Sequence, residues 1–426
     1  MTSLRRPAVE YLPRVADTLL QEKLSHAGAV CIRGPKWCGK TSTALQRAKS
    51  ALFLQDPDTR ANNLRLAAEK PSLLLRGELP RLLDEWQDAP QLWDAVRFAV
   101  DRAGEPGLYL LTGSSTPGKD PMHSGAGRFS FLDMRTMSLS ESGDSTGEVR
   151  LGDLFDGEYE PEGYSDVDIE SIAYLVCHGG WPQIAHRRDA GALEVAHDYV
   201  SVIAEEDISR VDGVQRSADY ARLLMAEYAR CTSTMASMNS IRANVARHGR
   251  EVSRPTTEAY TAALRRLYVL EDLPSWFPSL RAKSRITSTP GRFMADPSIA
   301  AASLEADPFQ LLNDLSTLGV LFESLCVRDL RVYAEALGGR LYRYHDSTGL
   351  EADAVIVLRG GRYALVEVKL GASEVEDGAK SLHAVSDKID QGIMGAPSFS
   401  AVVTPGGYAY RRSDGILVLP ISCLRP

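Results

Sequence analysis

The chain has 426 residues, of which 44% are hydrophobic and 24% charged, with a formal net charge of −8 at pH 7. This length predicts two to four domains, and the acidic balance argues against a protein that coats nucleic acid, though it leaves room for a local basic surface. The sequence contains no run of about 18 apolar residues, which is the length needed to span a bilayer. The N-terminal segment has no apolar signal core, and the six cysteines form no C-x-x-C pair. We therefore expect a cytoplasmic protein with reduced thiols and no membrane partner.

Residues 34–41 read Gly-Pro-Lys-Trp-Cys-Gly-Lys-Thr and match the phosphate-loop pattern G-x-x-x-x-G-K-[ST]. An apolar segment of strand length, 29–33, precedes the loop, and residues 41–50 favour a helix. Loop amides and the helix dipole would face phosphate oxygens, Lys40 would reach the β- and γ-phosphates, and the Thr41 hydroxyl would hold Mg²⁺. The pattern predicts ATP and Mg²⁺ as ligands. The predicted nucleotide contacts of the loop are Gly34, Pro35, Lys36, Cys38, Gly39, Lys40, Thr41 and Ser42.

A second apolar segment, at 80–83, ends in Asp84 and Glu85. Because neighbouring side chains of a strand point to opposite sides, we expect the two carboxylates to have different roles. Asp84 fits the Mg²⁺ sphere beside Thr41, and Glu85 fits the group that orients or deprotonates the attacking water. An ordinary pair of surface acids at a strand end is the alternative.

The third strand is expected at 107–111, followed by Ser114, a candidate sensor of the γ-phosphate or the lytic water. Arg128 is a candidate catalytic arginine that would offset transition-state charge, with a structural ion pair as the alternative. Further strands at 50–55 and 128–134 and a helix at 90–103 complete the pattern. Residues 1–150 are thus predicted to form an α/β domain, a doubly covered parallel sheet of the P-loop NTPase class.

Residues 151–236 are predicted to be helical, with a sharp stop at the Gly-Gly-Trp-Pro of 179–182. Residues 237–300 have the order of a winged helix: two helices, a strand at 268–273, a basic tip at 281–285 and a return strand at 292–295. Residues 240–292 hold ten basic and four acidic residues. Such a module either contacts DNA phosphates or serves as a rigid protein–protein spacer, and the sequence leaves both open.

Residues 301–426 are predicted to form an α+β domain that contains a candidate acidic site. A helix at 315–337 carries Glu323, and strands at 351–358 and 363–370 carry Asp353, Glu367 and Lys369. A two-residue turn would separate Asp353 from Glu367, whereas a three-residue loop at 359–361 would pair them, which the available glycines favour. Two carboxylates and a lysine can bind Mg²⁺ and activate water for phosphodiester cleavage. A surface charge cluster, or a fold that binds without cleaving, is the alternative.

Together these motifs resemble a prokaryotic family of AAA-type ATPases with a C-terminal domain of unknown function, DUF4143. The resemblance spans nearly the whole chain, including the Leu-Leu-Asp-Glu-Trp-Gln of 82–87, the Gly-Gly-Trp-Pro of 179–182 and the Glu-Val-Lys of 367–369. It implies an ATPase core, a winged-helix-like segment and a PD-(D/E)XK nuclease-like end. Residues 36–38 depart from the Arg-Gln-x usual in the family, while the phosphate-binding residues are intact.

Two hypotheses of function follow from these observations. In the first, an Mg²⁺-dependent ATPase uses its nucleotide state to position the C-terminal modules on DNA. In the second, ATP switches a protein-interaction device whose nuclease-like domain is inactive, with a protein partner that the sequence does not identify.

Overall fold

The computed structural model describes residues 11–114, 125–157, 159–278, 289–389 and 394–426. The chain divides into two compact units. Unit 1 is formed by Met1–Thr136, Arg210–Val214 and Arg266–Tyr268, and unit 2 by Met137–Ser209, Gln215–Arg265 and Val269–Pro426.

Unit 1 contains a five-stranded parallel sheet in the order β2-β3-β4-β1-β5. Its strands are β1 Ala29–Arg33, β2 Ser50–Phe53, β3 Arg81–Asp84, β4 Tyr109–Gly113 and β5 Phe129–Asp133. Its helices are α1 Val15–Leu24, α2 Lys40–Leu45, α3 Arg60–Glu69 and α4 Gln91–Ala103, with short 3₁₀ turns at Pro71–Leu73 and Trp86–Asp88. The predicted parallel sheet is confirmed.

Both faces of this sheet are buried. Ala29 and Cys31 belong to the core that contains the α4 side chains, whereas Val30 and Ile32 belong to a second core with Leu20 of α1. Because side chains alternate along a strand, this split of neighbouring residues shows that helices cover both sides, as predicted.

The carboxyl ends of three neighbouring strands meet at one sheet edge. Arg33, the last residue of β1, lies opposite Gly113 of β4, and Asp84 of β3 lies opposite Thr112. Ligands of open parallel sheets bind at this edge, so the residues that follow β1, β3 and β4 share one candidate site.

The remaining elements lie after Thr136. The helices are α5 Leu139–Ser142, α6 Leu151–Asp156, α7 Ile169–His178, α8 Ala190–Val202, α9 Ile208–Arg210, α10 Ala218–Arg230, α11 Met238–Arg247, α12 Arg254–Arg266, α13 Pro297–Ser303, α14 Pro308–Asn313, α15 Leu315–Ala336 and α16 Val375–Lys388. The strands are β6 Val149–Arg150, β7 Gly163–Ser165, β8 Arg340–His345, β9 Glu351–Val357, β10 Tyr363–Val368, β11 Phe399–Thr404, β12 Gly407–Arg411, β13 Leu417–Pro420 and β14 Leu424–Arg425. Seven of them form one sheet in the order β7-β12-β13-β11-β10-β9-β8, and β14 pairs with β6.

The C-terminal helix and the two strands predicted at 315–337, 351–358 and 363–370 are present as α15, β9 and β10, with ends that differ by at most two residues. The predicted winged segment agrees less well. Its two helices are present as α11 and α12, but the two strands appear only as isolated bridges, Leu270–Met294 and Leu273–Gly291. The predicted basic tip lies outside the described residues. A π-helical turn at Ile203–Asp207 joins α8 to α9.

A buried ion network in unit 2 explains the Gly-Gly-Trp-Pro motif. The Arg328 guanidinium lies 3.2 Å from Asp296 and 2.8 Å from Asp329. Asp296 also accepts the main-chain N–H of Gly180 at 3.1 Å. Gly179 has φ +70°, and a Cβ there would lie 2.3 Å from the Ser298 hydroxyl oxygen. The motif is therefore required for packing in this network.

In the described part of the chain, no helix combines the length and apolar character needed to cross a membrane.

Candidate functional site

The phosphate loop connects β1 to α2 through glycines at positions that a side chain would not fit. Gly34 has φ +152°, and a Cβ there would lie 2.0 Å from the Met134 carbonyl oxygen. Gly39, the N-cap of α2, has the left-handed conformation with φ 98°. The tight turn thus places the amino end of α2 at the end of β1, which is the geometry that an anion requires.

Lys40 is buried at the mouth of this loop. Its side chain is 5% exposed, and Nζ donates to the carbonyl oxygens of Gly34 at 3.0 Å and Pro35 at 2.7 Å. An ammonium that is desolvated and held only by neutral carbonyls interacts strongly with an added anion. The structure therefore places Lys40 where the sequence predicted a phosphate ligand.

Asp84 connects the loop helix to the neighbouring strand. Its Oδ1 accepts hydrogen bonds from the Thr41 hydroxyl at 2.7 Å and the Thr112 hydroxyl at 2.6 Å. Thr41 and Asp84, the two predicted metal ligands, are thus adjacent, and their oxygens are the donor type that Mg²⁺ prefers. Thr112 was not predicted as a site residue. The sequence feature that could have identified it is a hydroxyl residue next to the carboxyl end of an apolar strand.

Glu85 reaches the same edge by a route that the sequence reasoning missed. The strand ends at Asp84, and Glu85 has left-handed backbone angles, φ 55° and ψ 46°. The expectation that strand alternation separates the two carboxylates is therefore wrong, because Glu85 lies beyond the end of the strand. Glu85 Oε2 accepts from the Ser114 hydroxyl at 3.2 Å and from the Gln87 amide. The fold thus brings together two residues that the sequence predicted separately, Glu85 and Ser114. Gln87 also binds Glu85 and was not predicted as a site residue.

The other predicted loop residues differ in burial. Cys38 is fully buried, and its Sγ lies 3.7 Å from the Met134 carbonyl oxygen. Its own carbonyl accepts from Arg14 at 2.8 Å. Lys36 and Ser42 are both half-buried. No motif indicated Arg14, because it lies far upstream of the loop in the sequence.

Arg128 is not brought to the phosphate loop of its own chain. Its carbonyl accepts from the N–H of Ala29 at the amino end of β1, whereas the loop follows the carboxyl end. Its guanidinium pairs with Asp101 at 2.6 Å. A residue that precedes a parallel strand lies at the opposite end of the sheet from one that follows it. Within its own chain Arg128 therefore forms a structural ion pair, the alternative that the sequence left open. A catalytic role of Arg128 in a second copy of the chain stays a prediction.

The candidate acidic site in unit 2 depends on the register of β9 and β10. Val366 lies opposite Ala354, and the same register continued by one residue places Asp353 opposite Glu367. The connecting loop has three residues, since the N–H of Leu358 donates to the carbonyl of Arg362 at 2.8 Å. The structure thus selects the register that the glycines favoured.

Four predicted side chains approach one another there. Glu367 accepts from Lys369 at 2.9 Å and from the Ser381 hydroxyl at 3.0 Å, and Asp353 accepts the Val368 N–H at 2.8 Å. Glu323 of α15 joins them electrostatically. Ser381, on α16, was not predicted. Across the described segments, no three His, Cys, Asp or Glu side chains are grouped closely enough to hold a metal ion.

Burial dominates the charge state of this cluster. It raises the pKa of Glu367 to about 8, and the charge of Asp353 adds to the rise. Burial also raises the pKa of Asp353, and raises that of Glu323 well above its ordinary value together with the charge of Asp353. Burial opposes the charge of Lys369, but Glu367 outweighs it and raises the lysine pKa. The raised pKa values disfavour simultaneous ionisation of the three carboxyl groups, and a bound cation would lower these pKa values.

The basic residues of 240–292 are largely paired, which the sequence count did not show. Five arginines form ion pairs with carboxylates, one of them Arg266 with Asp212 at 3.6 Å. Arg281, Lys283 and Arg285 lie outside the described residues. The other four pairs are Arg250–Asp219 at 2.8 Å, Arg254–Glu258 at 2.7 Å, Arg265–Asp272 at 2.8 Å and Arg292–Asp272 at 2.8 Å. Arg292 is also only 5% exposed. The number of basic residues therefore does not by itself identify a phosphate-binding face, and DNA contact by this segment stays a prediction.

Three family models match successive segments of the chain. The model of the AAA domain matches residues 26–143, which include the phosphate loop, Asp84 and Glu85. A domain of unknown function, DUF4143, matches residues 318–424, which include the acidic cluster. The chain therefore carries an AAA domain and a DUF4143 domain. Another domain of unknown function, DUF8612, matches residues 169–310 and crosses the predicted limit at residue 236.

Relatives of similar length are found in mycobacteria. The uncharacterized proteins Mb2031c of Mycobacterium bovis and Rv2008c of Mycobacterium tuberculosis are each 23% identical over 412 residues, which are 96% of this chain and 83% of the relative. Among solved structures, the Walker-type ATPase PABY2304 of Pyrococcus abyssi is 14% identical and covers 71% of this chain and 99% of its own, with a TM-score of 0.42.

Proposed function

We propose that this protein is an Mg²⁺-dependent ATPase. The observation that carries the proposal is the single Asp84 oxygen that accepts from both Thr41 and Thr112, beside the buried Lys40 ammonium. These groups come from three elements of the AAA domain. Their convergence at the carboxyl edge of the sheet is the arrangement that binds a triphosphate and a divalent cation.

Each residue has a distinct role in this proposal. The loop amides and Lys40 bind the β- and γ-phosphates, and Thr41 and Asp84 hold Mg²⁺. When bound, the cation neutralises phosphate charge. Glu85, held by Ser114, orients the attacking water and accepts its proton. Positioning and charge neutralisation are sufficient for phosphoryl transfer to water.

Calorimetry and ATP turnover test this proposal directly. We expect Lys40→Ala to abolish MgATP binding, and Glu85→Gln to retain binding while hydrolysis falls by about a hundredfold or more. Lys49→Ala removes an exposed lysine outside the loop and serves as the matched control. Wild-type protein that releases no heat with MgATP and forms no ADP would refute the proposal.

We propose further that the nucleotide state controls the action of unit 2 on DNA. The support is the cluster of Asp353, Glu367 and Lys369, whose chemistry suits phosphodiesters. Fluorescence anisotropy with single-stranded, duplex and branched DNA should show salt-dependent affinity that changes with ATP. If no DNA binds, and Glu85→Gln instead retains one specific protein in a nucleotide-dependent complex, the protein-interaction hypothesis takes its place.

A second candidate function is Mg²⁺-dependent phosphodiester cleavage by unit 2. The register that places Asp353 beside Glu367 favours it. A cation here would rest on two carboxylates, completed by water or main-chain oxygens. We expect Asp353→Asn and Lys369→Met to abolish nicking of supercoiled plasmid while ATP turnover persists. Lys380→Met, at an exposed lysine of α16, is the control. Equal nicking by all variants would show that the site does not cleave.

A further inference from the structure

Two side-chain donors are bound to one oxygen of Glu85. The Ser114 hydroxyl comes from the residue after β4, and the Gln87 amide comes from the 3₁₀ turn after β3. Within the described residues, Oε1 accepts no hydrogen bond. A carboxylate held twice at one oxygen cannot rotate without breaking both bonds, so the direction of the free oxygen is fixed.

The turn that carries Gln87 is itself held rigidly. Trp86 is 2% exposed and packs against Trp93 with ring centroids 5.0 Å apart. The left-handed backbone of Glu85 turns the chain so that Gln87, two residues later, reaches back to the Glu85 carboxylate. Non-glycine residues adopt this conformation at a cost of about 1–3 kcal/mol, and such strain is concentrated at functional sites.

The other end of the Gln87 amide is left unsatisfied. Its Oε1 is buried and has no hydrogen-bond partner among the described residues. A Cβ on Gly113 would lie 2.7 Å from this oxygen, so the glycine leaves just enough room for it. An unpaired buried carbonyl costs about 1–3 kcal/mol. The hydrogen bond from the Gln87 amide to Glu85 offsets this cost.

We propose that Gln87 is a positioning residue for ATP hydrolysis, which holds the Glu85 carboxylate so that its free oxygen faces the attacking water. The inference rests on the proposed ATPase function and extends it to a residue outside the phosphate loop and the acidic pair. Gln87 acts through Glu85 and does not contact the nucleotide.

The test compares Gln87→Ala and Gln87→Glu with wild type in steady-state and single-turnover ATP hydrolysis. We expect kcat to fall about tenfold or more, as for a misplaced catalytic group, while KM and the Kd of MgATP change less than twofold. Gln87→Glu preserves shape but removes the donor and adds a repelling carboxylate, so its kcat should fall at least as far. Gln21→Ala, at an exposed glutamine of α1, should retain wild-type kcat.

A double-mutant cycle distinguishes positioning from a structural role. In the Glu85→Gln background, Gln87→Ala should cause no further loss of kcat, because the group it positions is already disabled. An equal further loss there, a loss of MgATP affinity in both Gln87 variants, or wild-type kcat in both would overturn the inference. If Gln87→Ala does not fold, the isosteric Gln87→Glu decides. Wild-type protein without ATP turnover would overturn the ATPase proposal itself, and this inference with it.

Discussion

One carboxylate oxygen organises the candidate nucleotide site. Asp84 Oδ1 accepts from Thr41 at the start of α2 and from Thr112 at the end of β4. Both donors bind the same oxygen, so the Asp84 carboxylate is held from two different elements. Thr112 therefore fixes the position of a carboxylate that we expect to hold Mg²⁺, although it contacts neither metal nor nucleotide itself.

Replacing Thr112 with the isosteric valine tests this role. We expect the Mg²⁺ concentration for half-maximal ATP turnover to rise about tenfold, because Asp84 is less firmly oriented. The free energy of unfolding should fall by about 1 kcal/mol, the usual net value of one hydrogen bond. Magnesium titration of ATP turnover and urea unfolding measure the two effects. Thr18→Val, at an exposed threonine of α1, is the control. An unchanged magnesium titration in Thr112→Val would contradict the role.

Asp329 in the buried network predicts a pH dependence of stability. Burial raises its pKa to about 6, although Arg328 opposes the rise. The native state then binds more protons than the unfolded chain between about pH 4 and 6, so this contribution is present at low pH and lost as pH rises through that window. Relative to Asp329→Asn, wild type should lose on the order of 2–3 kcal/mol from pH 4 to 7. Urea unfolding at each pH measures the difference, and parallel curves would refute it.

At the scale of elements, the segment before α1 is attached to the phosphate loop. The buried Arg14 guanidinium donates to the carbonyl oxygens of Cys38 at 2.8 Å and Arg135 at 2.9 Å. The Tyr11 hydroxyl lies 2.9 Å from the Thr43 hydroxyl of α2. The amino-terminal segment thus stabilises the loop conformation that the sheet edge presents.

Removing this attachment should weaken nucleotide binding. We expect Arg14→Ala to raise the Kd of MgATP about tenfold, since loop amides that are less ordered must be ordered on binding. kcat at saturating ATP should change little, because Arg14 is remote from Glu85 in the hydrogen-bond network. Isothermal calorimetry measures the affinity, with the exposed Arg47→Ala as control. A kcat loss without an affinity change would be inconsistent with this role.

At the scale of the whole molecule, the two compact units are not two successive halves of the sequence. Unit 1 includes Arg210–Val214 and Arg266–Tyr268 in addition to the first 136 residues. The domain limits at 150, 236 and 300 that the sequence suggested stay predictions, and the DUF8612 match spans the second and the third of them.

Ligand binding should be visible in the stability of the intact chain. A ligand that binds only the native state stabilises it by about 2.7 kcal/mol at a hundred times its Kd. We expect MgATP to raise the melting temperature of wild type and of Lys49→Ala in a concentration-dependent manner, and to leave Lys40→Ala unchanged. Differential scanning fluorimetry makes the comparison. Equal shifts in all three proteins would show that stabilisation does not arise at the phosphate loop.

The sequence alone determined the features that local chemistry dictates. The phosphate loop, Asp84, Glu85 and the order of the C-terminal elements could be predicted because glycine turns, strand-length apolar runs and helix periodicity act over a few residues. The sequence favoured the register that pairs Asp353 with Glu367 but did not exclude the other one. The three-residue loop of the folded hairpin decided between them.

Tertiary structure alone decided which distant residues meet. Arg128 follows a glycine-rich motif in sequence, yet the parallel sheet places it at the edge away from the loop. The sequence assigned no role to Arg14, Thr112 or Gln87, although Gln87 ends the Leu-Leu-Asp-Glu-Trp-Gln motif. The fold brings each of them to the candidate nucleotide site. The physical reason is that strand order and hydrogen-bond partners depend on packing between segments far apart in the chain, which no local pattern encodes.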